Sequence, residues 1–246
     1  RYFPKQRRVM IRSDIWQALE ASWPAASRTP VGPFIWREGA GGGSRVSAAT
    51  VRGLADSHAL DSIEHKFAAT NRDALFQIRD TDNAFDEVLD TRGYDIMDPT
   101  LCLTAPVDIF TKSDPKVAYT SWPPIAAQRE IWRNGGIDAA RLEVMKRVQI
   151  PKTTILARDD DAPAVTAFIA TLGSICVLHA LEISPAHRRR GLACALMCHA
   201  AAWGKTNGAS TIAVVVTRAN TAALALYSSL GMRELGHYHY RRKRTS

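Results

Sequence analysis

His187-Arg188-Arg189-Arg190-Gly191-Leu192-Ala193 lies between an apolar run over 174–183 and an alanine-rich run over 192–205. The first run is largely β-branched and apolar until Ser184-Pro185 breaks it, which predicts a strand buried on both faces. The second places Leu192, Ala195, Leu196, His199, Ala202 and Trp203 at helical spacings, with Gly204 and Asn207-Gly208 available to end the helix. A strand, a tight basic turn and a helix start together predict an anion cradle. The first N–H groups of a helix have no intrahelical acceptor, and the macrodipole is positive there. Gly191 lets the backbone approach a phosphate closely, and the three arginines add charge-assisted donors.

Composition bounds the rest. A chain of 246 residues, 46% hydrophobic, can bury one large core or two smaller ones. We expect two units, 10–113 and 125–246, joined by a linker over 114–124. No run of about 18 apolar residues predicts a membrane span, and no apolar h-region follows the basic N-terminus to predict a secretory signal. The formal net charge is +8. Arg1, Lys5, Arg7 and Arg8 lie in the first nine residues, and Arg241, Arg242, Lys243 and Arg244 near the end, with no acidic residue in either flank. The other 24 basic residues balance the 24 acidic ones. The flanks therefore read as solvated tails rather than nucleic-acid-binding arms, and residues 1–9 as an upstream remnant before a natural start at Met10. Cys102, Cys176, Cys194 and Cys198 form neither a disulfide scaffold nor a metal-ligand spacing, which suits a reduced, cytoplasmic setting with no metal. Cys194 and Cys198 share a helical face and read as core.

In chain order, 13–20 reads as a short helix capped by Ser13 and packed on its own half. Two strands over 33–38 and 45–51 are predicted to flank a hairpin connection at Gly39-Ala40-Gly41-Gly42-Gly43-Ser44; no Gly-Lys-Ser/Thr follows to make it a nucleotide loop. A helix over 60–70, a strand over 74–79, a helix over 83–92 and a strand over 100–107 complete the first half. Asp114-Pro115 and Pro123-Pro124 break the chain. Helices over 125–133 and 137–148 then lead into three strands, 153–158, 164–172 and 175–183. Beyond the cradle and its helix come a strand over 210–216, a helix over 220–229 and a strand over 235–242. Along this last strand His237-Tyr238-His239-Tyr240 alternates onto two faces, one of which would line a pocket unless the strand is a half-exposed edge.

Two motifs carry a resemblance. Arg188-Arg189-Arg190-Gly191-Leu192-Ala193 resembles the Gln/Arg-x-x-Gly-x-Gly/Ala loop of the GCN5-related N-acetyltransferase (GNAT) superfamily. Asn220, followed by Tyr227 and then Gly231-Met232, resembles its second signature. The similarity covers about 125–242. It implies an α/β fold with a mixed sheet, the acyl-CoA N-acyltransferase (GNAT) fold, and the first half more faintly resembles a degenerate copy in tandem.

The resemblance further implies that acetyl-CoA is the co-substrate. Leu181, Glu182 and Ile183 would offer backbone groups to the pantetheine arm, and Arg189, Arg190, Gly191, Leu192, Ala193 and Cys194 would wrap the pyrophosphate, with Arg188 at the motif's first position. Asn220 would bind the pantetheine arm and Tyr227 would protonate the departing thiolate, since a phenol of pKa ~10 can donate to a thiol anion of pKa ~8 to 9. Ribosomal-protein alanine acetyltransferases, which this region also resembles, carry a glutamate five residues before the asparagine; here that position is Val215, against transferring their base or peptide substrate. Glu182 and His179 are the candidate bases, expected on opposite faces of their strand, with a water relay as the alternative. The function so implied is acetyl transfer to a primary amine of a small molecule or amino acid, by direct attack with backbone stabilisation of the oxyanion. The alternatives are a non-catalytic acyl-CoA-binding domain and a protein or peptide acetyltransferase.

Overall fold

The computed structural model describes residues 12–111 and 118–244. The basic N-terminal flank and Asp114-Pro115 lie outside the described residues. The first half builds α1 (Arg12–Ser22), β1 (Ser27–Val31), β2 (Phe34–Glu38), α2 (Ser44–Ser47), β3 (Thr50–Val51), α3 (Ser57–Ala69), β4 (Ala74–Arg79), α4 (Asn83–Thr91) and β5 (Asp95–Pro106). The rest builds β6 (Ala118–Ser121), α5 (Ala126–Asn134), α6 (Ala139–Arg147), β7 (Lys152–Asp159), β8 (Ala162–Leu172), β9 (Ile175–Ile183), α7 (Leu192–Thr206), β10 (Thr211–Thr217), α8 (Thr221–Ser229) and β11 (Arg233–Lys243). Among the described residues no helix is long and apolar enough to cross a membrane.

The mixed α/β character follows the sequence, but the expected boundary at 114–124 does not divide the sheet. Eight strands join in the order β4-β11-β5-β10-β9-β8-β7-β6. Strand β5 lies between β10 and β11 and is antiparallel to both, and β4 pairs with β11. Two first-half strands thus bury their apolar faces in the second half's sheet, so β11 is an interior strand rather than an edge. A separate sheet, β1-β2-β3, is tied to β4 by a bridge at Ala49 and Phe76.

The loop 39–44 is not a hairpin connection. It leads into the single helical turn α2, and only Thr50 and Val51 pair with β2. A Cβ on Gly42 would meet the Val144 methyl at 2.6 Å, so the loop presses against α6 because it has no side chain there. The turn of α2 then buries Val46 beside Val144 and Trp132. The hairpin lies one strand earlier, where β1 and β2 meet across Gly32 at φ +54.

Helix α1 also departs from expectation. It begins before Ser13 and packs on β8 and β9 of the second half, with Ile15 and Trp16 against Ile175 and Val177. Alternation along β8 explains the layering. Ala167 and Ile169 face α7, whereas Phe168 and Ala170 face Trp23, α5 and α6.

The C-terminal basic run is only partly a solvated tail: Lys243 and Arg244 are exposed, but Arg241 is not. Arg241 is buried in β11, where its guanidinium donates to Asp86 at 2.7 Å, Asp90 at 2.7 Å and the Tyr94 carbonyl at 2.8 Å. Asp86 and Asp90, four apart on α4, present one acidic face to it.

Candidate active site

Strand β9 decides the site. His179 lies opposite Phe168 and Glu182 opposite Thr166, so Ala180 and Leu181 stand against Ala167 alone. This is a β-bulge, with Ala180 at φ +52. The displaced Ala180 carbonyl accepts the Trp132 indole N–H at 2.7 Å. Two consequences follow. The parallel pairing of β9 with β10 ends at Leu178 and Val214, although β9 continues to Ile183 and β10 to Thr217, so the two strands diverge and leave backbone groups unpaired towards each other. The extra residue also resets the alternation, which places His179 and Glu182 on one face. The expectation that they point oppositely is corrected by the bulge.

The divergence opens a cleft of about 960 Å³. Its walls include His179, Leu181, Glu182, Ile183, Arg188, Arg189, Gly191, Leu192, Ala193, Cys194, Asn220 and Tyr227, so nearly every residue singled out in the sequence meets there. At its mouth Gly191, at φ +77, caps α7, and Arg189 also takes a positive φ, +63. The first helical bond of α7 runs from the Ala195 N–H to the Gly191 carbonyl, which leaves the Leu192, Ala193 and Cys194 N–H groups without a helical acceptor. Arg190 is the exception among the arginines: its side chain turns away to Asp159 at 2.7 Å and is not part of the wall. Cys198 is core as expected, but Cys194 is exposed on the cleft side of the same helix.

Asn220 caps α8, its Oδ1 accepting the Ala223 N–H at 3.0 Å, and its amide nitrogen remains a donor. Tyr227, about two turns along the same helix, is buried, and burial pushes its phenol up to about 12. It is therefore protonated throughout the neutral range. The Glu182 carboxyl is pushed up by burial and partly held back by Arg188, whose guanidinium lies 3.6 Å away. It packs against the end of α5, where Gly135 has no Cβ to collide with its carboxyl carbon.

His179 has a different part. Its ring is buried against Trp23 and Phe168. Arg45 donates to Nδ1 at 3.2 Å, which puts the ring proton on Nε2, where it is donated to Ser22 Oγ at 2.8 Å; the Ser22 hydroxyl in turn donates to the Ala18 carbonyl at 2.6 Å. Burial, then Arg45, hold the imidazole well below its ordinary range, so it stays neutral with both nitrogens engaged.

Sequence reasoning missed Arg45, Arg141, Val216 and Thr217, all of which line the cleft. Arg45 comes from the first half, more than 130 residues from β9, and no local spacing links them. Among the described residues no group of three or more His, Cys, Asp or Glu side chains forms a metal site.

A mixed sheet splayed at one parallel pair, with a glycine-capped helix start at the mouth of the splay, defines the N-acyltransferase fold of the GNAT class. Residues 124–232 match the Acetyltransferase (GNAT) family, whose co-substrate is acetyl-CoA, so this part of the chain is a GNAT domain. The chain is 22% identical over 235 residues to the uncharacterized N-acetyltransferase YobR of Bacillus subtilis (strain 168), covering 91% of this chain and 95% of that protein. In fold it is similar to a GCN5-related N-acetyltransferase from Kribbella flavida, with a TM-score of 0.73 and 18% identity over 97% of both chains. It is also similar to a tandem GNAT protein from the clavulanic acid biosynthesis pathway, with a TM-score of 0.63 and 12% identity over 85% of this chain and 77% of the other.

Proposed function

We propose that this protein transfers an acetyl group from acetyl-CoA to a primary amine of a small molecule or amino acid. The observation that carries this reading is the convergence of the strand splay, the α7 cradle and a protonated, buried Tyr227 on one cleft. The pantetheine amides would pair with the free backbone groups around Leu181 and Ile183, as an added strand does. The pyrophosphate would sit on the N–H groups of Leu192, Ala193 and Cys194, with Arg188 and Arg189 beside it, and Asn220 would donate its amide hydrogen to the pantetheine arm.

The neutral amine attacks the thioester carbonyl carbon, and an unpaired backbone N–H of 180–183 stabilises the oxyanion. Collapse breaks the C–S bond. The thiolate takes the Tyr227 proton, and the nitrogen gives its proton to Glu182, directly or through one water. His179 is left out of proton transfer because both its nitrogens are engaged.

Calorimetric titration with acetyl-CoA, followed by a free-thiol release assay over an amine panel, tests the reading. Failure to bind acetyl-CoA would sink it; binding without turnover on any amine would favour the non-catalytic alternative.

Two variants examine Glu182. In Gly135→Ala the new Cβ displaces the carboxyl without removing it, and Gly135 has an ordinary negative φ, so the backbone is unstrained. We expect kcat to fall about tenfold with the acetyl-CoA Kd unchanged, because the misplaced group must be brought back before proton transfer. Arg188→Gln removes the charge that favours the carboxylate. The acid limb of kcat, read at saturating acetyl-CoA, should therefore move to higher pH; a limb that stays in place would remove Glu182 as the base.

A further inference from the structure

A second cavity, of about 280 Å³, opens off the cleft, and the two share Arg45, Arg141, Val215 and Thr217. Its walls come from both halves, with Asp98 and Thr100 from β5 and Tyr238 and Tyr240 from β11. It shares Val215 and Thr217 of β10 with the cleft but none of the cradle residues at the start of α7.

Two guanidiniums face this cavity with little opposing charge. Several guanidiniums elsewhere are matched by carboxylates, although half-buried Arg147 rests on the Pro24 carbonyl instead. Arg37, Arg79 and Arg28 meet Glu20 at 2.7, 2.9 and 2.8 Å, and Arg241 meets Asp86 and Asp90. Arg45 is half-buried yet has no carboxylate within ion-pair distance among the described residues. Its position is nevertheless fixed, stacked 5.1 Å over the Trp23 ring and bound to His179 Nδ1. That neutral imidazole is in turn anchored through Ser22, so an elaborate buried arrangement holds one positive charge against the cavity. A guanidinium has five N–H donors, and this contact with His179 uses one. Arg141 adds a second guanidinium to the wall, held by the Gly136 carbonyl at 2.8 Å and likewise without a carboxylate partner among the described residues. Against these two stands one carboxylate, the exposed Asp98.

We infer that the acceptor is an amine that also carries an anionic group, a carboxylate or a phosphate, and that Arg45, assisted by Arg141, seats that group. This rests on the acetyl-transfer reading and names its substrate class. A partly desolvated guanidinium without an anion is costly, whereas its planar donor fork matches both oxyanions and forms short, charge-assisted bonds. The bound anion completes the charge balance that Glu20 supplies to Arg37 and Arg79. The same field repels polyamines.

The test uses the full chain with acetyl-CoA and acceptors paired on one skeleton. Amino acids are compared with their decarboxylated amines for the carboxylate arm, phosphoethanolamine with ethanolamine for the phosphate arm, and spermidine serves as a cationic probe. The anionic member of at least one pair should be acetylated with a kcat/KM more than about tenfold above its uncharged partner, a difference equivalent to one decade of affinity. Arg45→Gln should erase that preference mainly through KM, and Arg141→Gln should reduce it. Circular dichroism shows whether each variant folds, and either variant suffices if the other does not. Uncharged or cationic amines preferred throughout, or a preference intact in both variants, would overturn the assignment alone. Wild-type protein that fails to bind acetyl-CoA by calorimetry would overturn the acetyl-transfer reading and this assignment with it, so the two failures are distinguishable.

Discussion

Tyr227→Phe is expected to lower kcat by about 10² to 10³, within the range of a lost general acid, while the Kd for acetyl-CoA changes less than about twofold. The substitution keeps the ring, which is buried among α7 and α8 side chains, and removes only the hydroxyl. Burial already holds this phenol at about 12, so it is a reluctant acid towards solvent. It becomes effective only as a full thiolate charge develops beside it. Pre-steady-state thiol release should therefore slow in the variant without a change in the acetyl-CoA binding isotherm. Equal turnover would remove Tyr227 from the chemistry and leave it as core.

Glu20→Gln is expected to destabilise the fold by about 3 kcal/mol at pH 7, the scale of breaking a largely buried ion pair from one side. Glu20 on α1 joins three arginines. Arg37 on β2, itself buried, also donates to the Ala48 carbonyl and Thr50 Oγ1, both at 3.0 Å, so the cluster locks α1, β2 and β3 together. Burial pushes the Glu20 carboxyl up, but Arg37, Arg28 and Arg79 outweigh it and hold it below its ordinary range. A carboxyl whose folded pKa is depressed stabilises the fold above its unfolded pKa of about 4.3, and that contribution fades as pH falls through the folded value. Urea melts of wild type and variant should therefore differ most near neutrality and converge in acid. A difference that persists undiminished in acid would mean that shape, and not charge, is what Glu20 supplies.

The second half was legible because its signals are local. The three strands leading into the cradle, the α7 helix, Asn220 and Tyr227 each announce themselves within about ten residues, and the structure puts them where the spacing indicated. The first half was less legible. Helix α2 reads as strand in the sequence because Val46, Ala48 and Thr50 alternate as a strand would, although of these only Val46 falls within the turn. Strand β6 was missed inside a segment read as linker, its four residues finding order only against β7.

By itself, the sequence determined that a buried strand runs into a glycine-capped helix and that a tyrosine follows an asparagine by two turns of a second helix. Backbone sterics, helix-end hydrogen bonding and apolar periodicity are properties of neighbouring residues, so a linear reading reaches them. The tertiary structure alone decided that β5 inserts between β10 and β11, that a bulge at Ala180 turns His179 and Glu182 onto one face, and that Arg45 reaches His179. These depend on which distant strands pair and on charges brought together from residues more than 100 positions apart. The energy of such contacts exists only once the sheet has closed.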